Sequence, residues 1–205
     1  YNVSAKNLVI RGGTIYSGVF SGKEIQSLTL GETVKWNGAS QFSGCSKLTT
    51  VSIANGITSI PDSCFGGCSL LNDVVLPDSI VEIGIGTFSS CSSLKTITLS
   101  KNLKKISTSC FGSCGFEIFT IPDDSAIEEL ENSIFNSCSN LKNVYIGESV
   151  KTIGDGGFYG ANSLTSIKIN QKENAISGAP WASSTATVEW LVKPTRIELT
   201  SLPAK

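Results

Sequence analysis

Residues Ile80 to Asn102 read IVEIGIGTFSSCSSLKTITLSKN, and most of the chain can be laid over this 23-residue stretch. Phe88 has counterparts at Phe42, Phe65, Phe111, Phe135 and Phe158, at steps of 23, 23, 23, 24 and 23 residues. Three residues after each Phe stands Cys45, Cys68, Cys91, Cys114, Cys138 and finally Ala161. Apolar columns follow in the same register. They are Leu48, Leu71, Leu94, Leu141 and Leu164, then Val51, Val74, Ile97, Val144 and Ile167, then Ile53, Leu76, Leu99, Ile146 and Ile169. A closing pair, three apart, is Ile57 with Ile60, Ile80 with Ile83, Leu103 with Ile106, Ile127 with Leu130 and Val150 with Ile153.

A period in the twenties with this Leu/Ile spacing marks a leucine-rich repeat, in which each turn buries its apolar edge against its neighbours. The fold class expected is a right-handed β/α solenoid, mostly of short parallel β-strands. Ile97-Thr98-Leu99 and its copies alternate in and out with β-branched residues and predict one strand per unit. Ile80-Val81-Glu82-Ile83 and its copies predict a second short strand. The Phe-x-x-Cys-x-x-Leu segment, with its spacing of three, predicts a short helical or 3-10 turn.

Four segments follow. Residues 1–41 hold degenerate N-terminal capping repeats, with Leu8, Ile10, Leu28, Leu30, Val34 and Trp36 in the apolar columns and Phe20 in the Phe column. Residues 42–170 are the regular units and 171–192 a C-terminal capping repeat. There Trp181 falls in the Phe column and Trp190 in the strand, two indoles that would cover the last apolar layer. Residues 193–205 have no repeat character and are expected to be a linker into a following domain.

At 40% hydrophobic and 16% charged residues, the chain can bury a core between closely stacked turns. A net charge of −1 without a basic block offers no electrostatic footprint for nucleic acid. No run of 18 apolar residues predicts membrane insertion. Histidine is absent, which removes the commonest general base and the commonest metal ligand, so no enzyme activity, cofactor or metal is expected. Five of the seven cysteines share one column, and that spacing reads as buried thiols whose S–H points at a backbone carbonyl. Cys64 and Cys110 lie two turns apart, about 10 Å at roughly 4.8 Å per turn, beyond disulfide reach.

One unit departs from the pattern. A residue is missing between Cys114 and Ile121, so that Phe116 and Phe119 take the Leu and Ile columns, and Pro122 to Ala126 adds two. Asp123, Asp124, Glu128, Glu129 and Glu131 gather there. A solvated acidic loop is the plain reading, and a Ca²⁺ site the alternative, since Ca²⁺ takes carboxylate oxygens.

The Leu-x-x-Ile-x-Leu-Pro, Ile-x-x-Ile and Phe-x-x-Cys-x-x-Leu order resembles the BspA-like leucine-rich repeats of bacterial and some protozoan surface proteins, from about Phe42 to Trp190. Thr195-Arg-Ile-Glu-Leu-Thr-Ser-Leu-Pro203 is similar to the first strand of bacterial immunoglobulin-like domains. The resemblance implies a secreted or cell-surface bacterial protein that binds an extracellular or host protein, and it transfers no set of site residues.

Binding is expected on the outward column of the first strand, Val9, Thr29, Ser52, Val75, Thr98, Thr120, Tyr145, Lys168 and Glu189. Most are small; the candidate contacts are Thr98, Thr120, Tyr145, Lys168 and Glu189, with Tyr145 as the only aromatic platform for a rival carbohydrate-binding role. A passive spacer is the remaining alternative. A monomer is expected. On the second strand Val81-Glu82, Lys104-Lys105, Glu128-Glu129 and Lys151-Thr152 predict a ladder of alternating charge.

Overall fold

The computed structural model describes residues 6–183 and 185–192. Its strands in chain order are β1 (Asn7–Tyr16), β2 (Ser27–Asn37), β3 (Thr50–Ile53), β4 (Ser59–Ile60), β5 (Asp73–Val75), β6 (Glu82–Ile83) and β7 (Thr96–Thr98), followed by β8 (Lys105–Ile106), β9 (Ile118–Ile121), β10 (Glu129–Leu130), β11 (Asn143–Ile146), β12 (Thr152–Ile153), β13 (Ser166–Lys172) and β14 (Thr187–Val192). All pairings are parallel, and the chain winds as a solenoid.

The first ladder stacks the Val/Ile column in register: Leu8, Leu28, Val51, Val74 and Ile97 through β1, β2, β3, β5 and β7, then Phe119, Val144, Ile167 and Val188 through β9, β11, β13 and β14. The second ladder pairs β4 with β6, and β8 with β10 and β12. In the first two turns single long strands, β1 and β2, run through both ladders. Strand residues alternate between faces, so the columns point inward and their neighbours to solvent.

The interior is a spine of phenylalanines. Phe20, Phe42, Phe65, Phe88, Phe111, Phe135 and Phe158 stack with centroids 5.2–6.0 Å apart and ring planes within 3–15° of parallel. All but Phe20 are fully buried. Beside them runs a thiol column. Cys45, Cys68, Cys91, Cys114 and Cys138 each donate S–H to the carbonyl of the Phe in the preceding turn, at 3.0–3.3 Å. All seven cysteines are free and buried.

Between the ladders, the structure has hydrogen-bonded turns where the spacing of three predicts a short helix. The residues two before and two after each ring have left-handed backbones, as at Ser63 (φ 51°) and Gly67 (φ 75°) around Phe65, or Ser109 (φ 53°) and Ser113 (φ 57°) around Phe111. Every such break turns alternate N–H groups outward. The N–H groups of Ser63, Phe65 and Gly67 donate to Ile85, Thr87 and Ser89 in the next turn, while those of Cys64, Gly66 and Cys68 donate three residues back within their own turn. A 3-10 helix would keep all of them internal. Here half become a third inter-turn ladder. Left-handed backbone costs a residue bearing a side chain roughly 1–2 kcal/mol, which glycine escapes; all of these positions in the seven Phe units hold Gly or Ser.

The unit around Phe111 is irregular. Elsewhere the Leu of the column donates its N–H to the Cys carbonyl, as Leu94 does to Cys91 and Leu141 to Cys138. Phe116 is one residue too close to Cys114 for that bond. A Cβ on Gly115 would collide with the Ser92 carbonyl, so only glycine lets the shortened turn lie against its neighbour. The first ladder does not close: β7 and β9 are not paired. The third ladder crosses this point unbroken, Ser90 to Gly112 and Ser113 to Asn136, and so does the second, Lys105 opposite Glu129. Phe116 and Phe119 fill the interior behind the opening, edge-on to each other at 5.1 Å.

At the C-terminal end Trp181 is buried, lies 6.3 Å from Phe158 at 62°, and donates Nε1–H to the Ser177 carbonyl at 2.7 Å. Trp190 is half-buried opposite Ile169. The linker segment and the immunoglobulin-like stretch fall on residues 193–205, outside the described residues.

The charge ladder forms in part: among the described residues Glu82 and Lys104 make no ion pair, and Lys105 changes partner. Lys151 Nζ lies 2.7 Å from Glu128 Oε2. Lys105 faces Glu129 in register, yet its Nζ reaches Glu131 Oε1 at 2.7 Å instead. Glu131 is the more enclosed carboxylate and also accepts the Thr108 N–H at 2.9 Å and its hydroxyl at 3.0 Å. These donors, with Lys105 first, hold the Glu131 carboxyl below the usual range. Lys105→Glu should destabilise by about 1 kcal/mol more than Lys105→Ala, since it sets like charges on neighbouring strands, with the excess shrinking in high salt. Urea melts of both variants at two salt concentrations check this; equal losses at low salt would show that the pair contributes nothing.

Candidate protein-binding face

The outward face of the first ladder runs over two sheets that meet at the opening between β7 and β9, and within each sheet pairing fixes what stands beside what. Thr120, Tyr145, Lys168 and Glu189 are consecutive rungs. Thr98 sits beside Val75, on the far side of the opening between β7 and β9. Of the five candidate contacts, four are therefore contiguous and Thr98 is separated from them.

Two pairs of charged side chains on this face neutralise each other. Lys168 Nζ lies 3.4 Å from Glu189 Oε2, and Lys142 Nζ 2.9 Å from Glu117 Oε2; Lys142 first and Lys95 more distantly hold the Glu117 carboxyl below the usual range. In the adjacent column Ser27 donates to Asn7 at 2.7 Å and Thr96 to Asp73 at 2.6 Å. Small hydroxyls on this face thus bond from rung to rung as well as serving strand propensity.

Tyr145 does not stand out as a platform. It is half-buried, and its hydroxyl donates to Asp123, 3.0 Å from each carboxylate oxygen. Asn170, then Tyr145 and the Glu148 N–H, hold the Asp123 carboxyl below its usual range, and burial with the Asp123 charge pushes the Tyr145 hydroxyl up. This clasp ties the two-residue insertion to the following turns. Among the described residues the most exposed aromatics are Tyr16 (61%) and Tyr159 (66%), neither in this column. What the face does expose is aliphatic: Val75 (55%) and Ile118 (62%). Ile118 stands in the adjacent outward column, paired with Asn143 on one side and with no strand on the other.

The acidic loop does not converge as the Ca²⁺ alternative requires. Asp123 is clasped by Tyr145, Glu128 pairs with Lys151 and Glu131 with Lys105. Among the described residues no three Asp, Glu, Cys or His side chains are grouped as metal ligands. The thiols have no activating environment either. Burial pushes Cys91 up to about 12 and Cys138 to about 11, and raises Cys45, Cys64, Cys68, Cys110 and Cys114 as well. Reactive cysteines have depressed values and access to solvent; these have neither.

The chain is similar in structure to a leucine rich cell surface protein of Faecalibacterium prausnitzii, at 22% identity over 79% of this chain and 52% of that chain, with a TM-score of 0.63. It is also similar to a leucine rich repeat protein of T. pallidum (21% identity, 89% of this chain and 76% of that one, TM-score 0.63) and to a pneumococcal vaccine antigen (18%, 91% and 72%, TM-score 0.58). It spans about half the length of the first of these, at 52%. At such identities the likeness is one of fold. No curated protein sequence matches the chain. The model of the BspA type leucine rich repeat region matches in 6 copies, over residues 2–84 and 58–187. Matched over most of its length, the chain belongs to the BspA-type leucine-rich repeat family.

Proposed function

We propose that the chain is a protein-binding module of a bacterial surface protein, acting outside the cell and engaging an extracellular or host protein through the outward face of the first ladder. One observation carries this reading: the face is an extended array of parallel strands in which exposed aliphatic residues, Val75 and Ile118, stand among hydroxyl and charged residues. Exposed apolar groups rimmed by polar ones fit a protein partner. Saccharides are favoured by exposed rings, and Tyr145, the ring on this column, is half-buried with its hydroxyl engaged. Membership in a family whose relatives include a named cell surface protein supports the location.

Purified chain should bind saturably to at least one member of a panel of immobilised extracellular-matrix proteins and to no member of a glycan array. Lys168→Glu combined with Thr98→Arg should weaken that binding at least about tenfold, while Lys151→Glu on the second ladder leaves it unchanged. Binding to glycans alone, or sensitivity to Lys151→Glu and not to the face substitutions, would reject the reading.

A further inference from the structure

The opening between β7 and β9 has a hydrophobic interior and a polar rim. Phe116 and Phe119 form its floor, Ile97 and Ile118 its walls, and Lys95 and Thr120 stand at its mouth. The hollow is about 180 Å³. Because the second and third ladders hold the two turns at one rung spacing on either side, it cannot admit another strand. It can admit one aliphatic side chain.

Its backbone and charge are also unsatisfied. In the column preceding the strand, Lys95, Lys142 and Thr165 each donate N–H to the carbonyl one rung back, those of Asn72, Glu117 and Lys142. Glu117 has no such bond to Lys95, as Asn72 has none to Thr49, and beside the opening this leaves the Glu117 N–H without a partner in the column. The Glu117 carboxylate is taken by Lys142, so Lys95 carries no ion pair among the described residues.

We propose that this cleft is the anchor point for the partner. An extended segment of another protein seats one Leu, Ile or Val side chain between Ile97 and Ile118 and sets a neighbouring Asp or Glu against Lys95, with its backbone completing the Glu117 N–H. The unpaired Lys95 selects an acidic rather than a basic segment, and the size and apolar lining of the hollow select an aliphatic residue. This inference rests on the sheet-face reading above and narrows it to one rung.

Two measurements test it. In the free protein, amide hydrogen exchange should run at least about a hundredfold faster at Glu117 than at Lys142, because only the latter is bonded across the ladder. Equal protection would mean that the ladder is closed and would overturn the proposal. Panning a random-peptide phage library on the immobilised chain should enrich sequences with an acidic residue beside an aliphatic one. In anisotropy titrations these peptides should lose at least about tenfold in affinity to Ile118→Asp and to Lys95→Glu, and nothing to Lys168→Glu. Both altered side chains are exposed, so folding is retained, and circular dichroism checks that it is. Lys95→Glu should regain binding to a peptide whose acid is replaced by lysine. Failure to enrich any peptide, or peptides indifferent to both substitutions, would overturn the cleft. Peptides that respond only to Lys168→Glu would do the same and leave the sheet-face reading standing.

Discussion

Phe88→Ala is expected to lower the unfolding free energy by about 3–5 kcal/mol, the range for truncating a fully buried aromatic. The ring is wholly enclosed, stacked 5.7 Å from Phe65 and 6.0 Å from Phe111. Its backbone N–H and carbonyl also join turns, to the Cys110 carbonyl and the Cys114 thiol. The neighbouring turns do not close freely on the space, since the third ladder holds them on both sides, Phe65 to Thr87 and Phe88 to Cys110. In a linear array each turn is stabilised only by the two beside it, so the loss should also broaden or split the transition as the halves uncouple. Thr98→Ala, on the outward face, should stay within about 0.5 kcal/mol. Urea denaturation followed by circular dichroism reads both. Equal losses would mean that the inward and outward columns are exchanged.

The larger effect is expected in mild alkali. A thiol ionises near 9.0 when unperturbed, whereas burial raises Cys91 to about 12 and Cys138 to about 11, and pushes up Cys64, Cys68, Cys110 and Cys114 too. A raised folded value gives stability that is fully present below the unfolded value and is lost as pH rises towards the folded one. The unfolded chain then releases protons that the folded chain keeps. Each such thiol costs about 1 kcal/mol between pH 9 and 10, so these six together cost roughly 6 kcal/mol, comparable with the whole stability of many domains. Urea melts in reductant at pH 8, 9 and 10 should show it. Cys91→Ala should remove about one proton from the pH slope whatever its packing cost. A flat profile from pH 8 to 10 would show that the thiols are not shielded.

The columns were legible because one period governs them: Phe, Cys, Leu and Ile recur at fixed offsets, and each offset has one burial state. The turn between the ladders was misread because a spacing of three suits a 3-10 helix and a hydrogen-bonded turn alike. The discriminating signal was present, since Gly22, Gly44, Gly67, Ser90, Ser113, Ser137 and Gly160 occupy one column of small residues with left-handed backbone. On the candidate face the rungs from Thr120 to Glu189 followed from register alone. The engagement of Tyr145 did not, because Asp123 belongs to the unit whose length deviates, and a two-residue insertion changes which side chains meet across turns. The same holds for Lys105, whose choice of Glu131 over the registered Glu129 is decided by the extra donors of Thr108. The missing residue after Cys114 was visible as a gap in spacing, but a gap alone does not tell whether a ladder stretches, shifts or opens.

The donors of the third ladder all belong to the earlier of two turns and the acceptors to the later, from Gly18 donating to Ala39 through Ser137 donating to Tyr159. Peptide dipoles of about 3.5 D therefore add along the solenoid axis, with the positive end towards the C-terminal turns, as they do along a helix towards its N-terminus. Such a stack has a direction of growth: a turn laid on the later end is received by waiting N–H groups. The turn around Trp181 refuses this. The N–H of Trp181 bends back to the Gly178 carbonyl and that of Ser183 to Pro180, and Pro180 itself has none to offer. In the third ladder the Trp181 turn thus offers a following turn fewer N–H groups than the Phe turns before it offer their neighbours.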